Sequence, residues 1–158
     1  MMNRTKIEYL DYTWNPLAMR CTPISEGCAH CWHLRMCDRL AGNKAFSVAV
    51  RNAYQGGGPP VLIQERLEDP LRRRKPGRIG VQFMGDLFHE DVDPRWIADI
   101  WRAMYYADQH TFLVLTKRPG RMYQILSRYP AEMILPNVWL GITAENQQRA
   151  HERIPLLL

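Results

Sequence analysis

With 158 residues, 46% of them hydrophobic and 23% charged, the chain has the size and composition of a single globular domain with room for a packed core. No apolar run approaches the roughly 18 residues of a membrane-spanning helix, and the opening MMNRTKIEYL lacks the apolar centre of a secretory signal, so a cytoplasmic protein with no membrane partner is expected. A net charge of +5 permits, without requiring, an anionic partner such as nucleic acid.

Residues 7–16 (IEYLDYTWNP) hold one short strand before Pro16. Tyr9, Tyr12 and Trp14 fall in this stretch; aromatic residues in core strands are commoner than base-stacking platforms, so they are read as core. All four cysteines then crowd into seventeen positions, Cys21 to Cys37. A disulfide framework spreads its cysteines and belongs to oxidising compartments, whereas clustered cysteines point to metal or redox chemistry. The first three are spaced Cys-x6-Cys-x2-Cys in a segment whose Pro23 and Gly27 make it a loop. A helix follows from Trp32, with Trp32, Met36 and Leu40 at i, i+4 and i+8, and ends near Gly42; Cys37 joins Leu40 and Ala41 on its packed face.

Spacing alone leaves two chemistries open for Cys21, Cys28 and Cys31. Three thiolates can bind three irons of a cubane cluster and leave the fourth open, with the helix N-terminus near Trp32 favouring negative charge there. A structural zinc site wants a fourth ligand instead, from Cys37, His33 or His30.

Gln55 to Pro60 is a breaker, and the chain stays mostly irregular to Gly77. Arg66, Arg72, Arg73, Arg74, Lys75 and Arg78 concentrate positive charge here; they read first as a solvated loop and second as a phosphate-contacting patch for nucleic acid. Ile79 to Met84 reads as a buried strand closed by Gly85-Asp86. His89, Glu90 and Asp91 are consecutive, which suits surface polarity better than a metal site. Asp93-Pro94 starts a helix with Trp96, Ile97, Ile100, Trp101 and Met104 on one face. Thr111 to Thr116 is a second strand ended by Lys117-Arg118, either of which suits a carboxylate or phosphate. Pro119 opens a helix towards Tyr129, Val138 to Ile142 is a third strand, and Thr143 or Asn146 caps a last helix. This alternation specifies an α/β fold with a parallel sheet of about four strands. The apolar end, Ile154 to Leu158, reads as that of a truncated product.

Tyr12 to Trp32, Gly85 to Val92, His110 to Pro119 and Asn137 to Asn146 together resemble a phage-associated three-cysteine-motif family named after phage gene products thirty-seven and sixty-eight. That family is similar to an outlying branch of the radical S-adenosylmethionine (SAM) proteins. The resemblance implies the N-terminal part of a (β/α)6 partial barrel of the radical-SAM type, incomplete at the C-terminus because relatives continue past Leu158. It implies a 4Fe–4S cluster on Cys21, Cys28 and Cys31, with SAM on the open iron. Gly85 and Asp86 would then meet the amino group of SAM, and Lys117, Thr143 and Glu145 would complete the cofactor site. The activity implied is reductive cleavage of SAM, driven by an electron donor, to start radical chemistry on an unknown substrate, with nucleic acid as a candidate and the truncated chain inactive alone. One departure is plain: radical-SAM proteins usually have three residues in the first cysteine gap, and this loop has six. The alternative is a zinc-stabilised nucleic-acid-binding phage protein without enzymatic activity.

Overall fold

In the computed structural model, which describes residues 2–56 and 58–158, the chain opens with a small hairpin. Strand β1 (Asn3–Arg4) runs antiparallel to β2 (Tyr12–Trp14), and a two-residue β3 (Leu17–Ala18) follows. Helix α1 (Trp32–Ala41) has Cys31 at its N-cap and Gly42 at its end, as its apolar spacing specified. Helix α2 (Val48–Gln55) was not foreseen. Ser47 accepts the Val50 N–H at its start, and Gly56, at φ 90°, ends it in the left-handed conformation. Of the breaker Gln55 to Pro60, Gly57 lies outside the described residues.

The stretch expected to be irregular contains β4 (Val61–Leu62), which pairs with β3, and a single-turn α3 (Asp69–Arg72). Next come β5 (Arg78–Val81), α4 (Pro94–Tyr106), β6 (Thr111–Thr116), α5 (Pro119–Leu126), β7 (Val138–Ile142) and α6 (Gln147–Arg153). Asp93 accepts from the Arg95 N–H at the start of α4, and Asn146, rather than Thr143, caps α6. Helix α5 stops short of Tyr129.

The main sheet has the order β1-β2-β5-β6-β7, and β2, β5, β6 and β7 are all parallel. The fold is therefore α/β with a mostly parallel five-stranded sheet. Each new parallel strand is added on the same side as the last, so the carboxyl ends of four strands come to one edge. Alternation along the strands gives the sheet two different faces. Tyr12, Trp14, Ile79, Val81, Phe112 and Val114 form one face, packed beneath Ile97, Ile100 and Met104 of α4 and Met122 of α5. The other face carries Thr13, Gly80, Leu113, Leu115 and Trp139 and is thinly covered; Trp139 is 65% exposed. Cys37 packs with Ala18, Val50, Ala53 and Tyr54 in a second, smaller core.

Strand β5 ends at Val81, short of the expected Met84, and one residue explains why. Gln82 turns to φ 53°, and its buried side chain takes the place of a neighbouring strand. Its Oε1 accepts from Leu17 N (3.0 Å), and its Nε2 donates to Leu17 O (3.1 Å) and Met84 O (2.9 Å). Among the described residues no helix is long and apolar enough to cross a membrane.

Candidate functional site

At the carboxyl edge of the parallel strands lies a cavity of about 320 Å³, and Cys21, Cys28 and Cys31 all line it. Each reaches it differently. Cys21 lies three residues beyond β3, Cys28 sits in a 3₁₀ turn (Glu26–His30), and Cys31 caps α1. None of the cysteines is in a disulfide. Gly85, Asp86, Lys117, Arg118 and Thr143 line the same cavity from beyond the ends of β5, β6 and β7. Among the described residues no three metal-ligating side chains are already gathered around one point. The donor set nevertheless suits an iron–sulfur cluster: three unbridged thiols on one loop, open to one hollow.

The thiols differ in readiness to ionise. Burial pushes Cys21 up to about 11, although the Arg118 Nη1 donor stands 3.7 Å from its Sγ and works the other way. At Cys28 burial also opposes ionisation, but hydrogen bonding to the Ile24 and Ser25 backbone and to the Ser25 hydroxyl, with the Lys117 charge, brings the pKa below its ordinary value. Cys28 thus acts as a thiolate more readily than Cys21.

The cysteine loop is braced to every strand end it crosses. Arg118, 6% exposed, is the centre of this bracing. Its Nη2 donates to Thr22 O (3.1 Å) and Thr22 Oγ1 (3.0 Å), its Nε to both Glu90 oxygens (3.0 and 2.8 Å), and its Nη1 to Asp86 Oδ2 (3.5 Å). His89, expected on the surface, is 3% exposed. Its Nδ1 stands 3.2 Å from Asp91 N, and its Nε2 stands 2.8 Å from Thr22 Oγ1 and 3.3 Å from Thr22 N, so the imidazole ties the cysteine loop to the turn beyond β5. Glu90 and Asp91 are exposed, as expected. At the far side of the loop Glu145 accepts from Ser25 Oγ (2.6 Å) and pairs with Lys117 and Arg153. Gly27 is a glycine for lack of space: a Cβ there would sit 2.6 Å from Glu145 Cγ. Arg149 bonds both Glu26 oxygens (3.1 and 3.2 Å).

Several sequence-assigned roles change accordingly. Asp86 lines the cavity, but its carboxylate already accepts from Thr116 Oγ1 (2.7 Å), Phe88 N (3.0 Å), Lys117 N (3.0 Å) and Arg118, so it ties strand ends together. Gly85, at φ +133°, presents bare backbone to the hollow. Lys117 and Thr143 face the cavity, whereas Glu145 is behind Lys117 as its ion partner. Arg118, weighed only as an alternative to Lys117, is the more deeply engaged residue; its position between a buried strand and a proline-started helix was the available signal. Cys37 is fully buried 3.4 Å from His33 Nε2, away from the hollow. His33 does line the cavity, and burial lowers its pKa to about 4, so it is a neutral imidazole. His30 is exposed. Tyr12 and Trp14 are core residues, and Tyr9, 48% exposed, lines the cysteine cavity.

The basic stretch lies mostly at the opposite, amino edge of the sheet, where β5 begins. There Arg73 stacks 4.0 Å over the Tyr12 ring, Arg72 pairs with Glu68 (2.7 Å), and Arg78 approaches Asp11 (3.8 Å). Arg74 and Lys75 are exposed. Arg66 departs from the group, donating to Asn15 O (2.8 Å).

The ion pairs of Glu145 make the site sensitive to acid. Burial opposes its charge, but Lys117, Ser25 and Arg153 outweigh that and hold its pKa down to about 2 from the ordinary 4.5. A depressed carboxyl stabilises the fold fully above about pH 4.5, and the stabilisation drains away as pH falls towards 2. Allowing for solvent screening, its protonation should cost about 2 kcal/mol. Thermal unfolding followed from pH 6 to pH 2 should show that loss, and Glu145→Gln should remove much of the slope.

Residues 4–158 match the model of a family described as a protein of unknown function (DUF5131). No curated protein and no solved structure matches the chain.

Proposed function

The chain belongs to this DUF5131 family, and we propose that it is an iron–sulfur protein of the radical-SAM kind, with Cys21, Cys28 and Cys31 holding a 4Fe–4S cluster and one iron left for SAM. One observation carries the reading. Three unbridged thiols from a single loop open on one cavity at the carboxyl edge of a parallel sheet, the edge where α/β sheets bind ligands. When bound, such a cluster supplies one-electron chemistry at an iron that no protein group occupies.

The chain's own residues divide the work. Cys28 offers a thiolate more readily than Cys21, and Arg118 stands beside Cys21 as the cation and donor that pairs with its thiolate once the proton is lost. The first N–H groups of α1 follow directly on Cys31 and favour the same charge. Lys117 presents an ammonium to a carboxylate, and Gly85 lets a ligand approach the backbone closely. The sheet, growing strand by strand on one side, is the pattern from which a partial (β/α) barrel of the radical-SAM type is built.

Protein purified without oxygen, or reconstituted with iron and sulfide, should be brown and carry about four irons and four sulfides per chain. Cys28→Ala should abolish both. Recovery of one tightly held zinc with no sulfide would overturn the reading.

That outcome would favour a second one, supported by neutral His33 lining the same cavity: a zinc held by the three cysteines and His33. The chain would then be a zinc-stabilised nucleic-acid-binding protein, with Arg72, Arg73, Arg74 and Lys75 as its phosphate-contacting surface and binding that weakens steeply with salt.

A further inference from the structure

The amino edge of the sheet, away from the cysteine cavity, carries two hollows. The first is an open groove of about 630 Å³. Four cations, Arg72, Arg73, Arg74 and Lys75, line it against one carboxylate, Asp69. Tyr12 lines it too, and Arg4, its partner on β1, hydrogen-bonds the Tyr12 hydroxyl. The loop that bears the cations is anchored at both ends. Gln109 Nε2 donates to Arg73 O (2.8 Å), and His110 Nε2 stands 3.0 Å from the same oxygen and 3.1 Å from Pro70 O. Two residues past Lys75, Gly77 O accepts from Thr111 N (3.1 Å). Arg74 and Lys75 are exposed between these anchors, on backbone that a ligand need not order.

The second hollow, of about 680 Å³, opens beside Tyr105 and Tyr106 at the end of α4. Their rings meet edge to face at 5.2 Å and are 48% and 64% exposed. Gln109, three residues beyond Tyr106, is the residue that holds Arg73 O, and Asn137 on the far wall bonds His110 O (3.3 Å). From the start of β5 to that of β7 is two strand spacings, about 10 Å. Successive nucleotides lie roughly 3.4 Å or more apart along a strand, so two or three cover that span. Asp108 and Glu132 line the second hollow and keep phosphate out of it.

The two hollows ask for different parts of one ligand. An acidic peptide would meet the cations, leave the tyrosines bare and be repelled by Asp108 and Glu132. A base-paired duplex presents phosphates and keeps its ring faces stacked inside. An unpaired strand presents phosphates to the groove, ring faces to the tyrosines and amine edges to the carboxylates.

We infer that the amino edge binds single-stranded nucleic acid, with phosphates at Arg73, Arg74 and Lys75 and a base against Tyr106. The phosphate-contacting surface of the zinc-protein reading is one end of this track, and the tyrosines at its other end select an unpaired strand. No cysteine takes part, so the binding is independent of any metal and leaves the cysteine cavity, at the opposite edge, open. DNA and RNA share this chemistry.

The test is fluorescence anisotropy on the full chain, with mixed-sequence single strands of about ten nucleotides, one DNA and one RNA, and the DNA duplex of the same sequence as probes. At least one single strand should bind about tenfold more tightly than the duplex, and the tighter names the source. Polyglutamate and phosphatidylserine vesicles should not compete. Arg74→Gln and Lys75→Gln should each weaken the single strand about tenfold and make the slope of log affinity against log salt shallower by about 0.7. Tyr106→Ala should weaken the single strand about tenfold and leave the duplex unchanged. All three side chains are exposed, so the variants keep the fold. Cys28→Ala should bind as the parent does, which separates this outcome from that of the metal analysis. No binding by either single strand, equal affinity for the duplex, competition by polyglutamate or vesicles, or indifference to Tyr106→Ala would overturn the inference.

Discussion

Replacing Arg118 with methionine is expected to release the cysteine loop from the sheet and to destabilise the protein by about 3–5 kcal/mol. The side chain is 4% exposed, and its partners are unequal. Glu90 is 61% exposed and can return to water, so its pair contributes little. Asp86 is 6% exposed and would keep a buried negative charge without its cation. Thr22 would lose two donors at once, one on its carbonyl and one on its hydroxyl. Urea denaturation should read the stability loss. Alkylation of Cys21 should quicken as the loop opens, because burial is what restrains that thiol. Arg118→Lys should fall between the two, since an ammonium keeps the charge and loses the fork that reaches Thr22, Glu90 and Asp86 together. A methionine variant as stable as the parent would show that the loop does not depend on this brace.

Gly85→Ala should destabilise by about 3 kcal/mol, from two separable causes. At φ +133° a residue with a side chain is strained whatever space surrounds it. The new methyl would also sit 2.7 Å from Met19 Sδ and 2.8 Å from its Cγ, and Met19 is fully buried. A double-mutant cycle with Met19→Ala divides the two. The clash should vanish as a coupling of about 1 kcal/mol, and the backbone strain should persist. Additive effects would mean that Met19 moves aside freely and that strain alone makes glycine necessary.

What was legible in the sequence was local. Strands β6 and β7 stood out as apolar runs between turn signals, and both were found at the expected bounds. Helix α1 followed from Trp32, Met36 and Leu40 with Gly42, and α4 from Asp93-Pro94. Strand β1 has two polar residues and no period to detect. Helix α2 carries two β-branched valines in its first turn, which masked the apolar set Val50, Ala53 and Tyr54. The end of β5 could not be read locally, because Gln82 turns to bond Leu17, 65 residues away. The site divides in the same way. Three cysteines on a short loop were visible as a group, yet what holds them was not, because Arg118 meets Thr22 across 96 residues and Glu145 meets Ser25 across 120. Asp86 looked available because most of its partners lie on and just beyond the next strand, and only strand direction shows that the basic stretch, read as a solvated loop or a phosphate-contacting patch, lies mostly at the other edge.

The long reach of those braces sets an order on the making of the protein. When Cys31 leaves the ribosome, Glu90, Arg118, Glu145 and Arg149 are still untranslated, so the nascent thiols hang on a segment with nothing to shape it. Contacts across so much chain form late and slowly. The cysteine loop therefore takes its final form after translation has passed α6, and a newborn chain must shelter its thiols from oxidation until then.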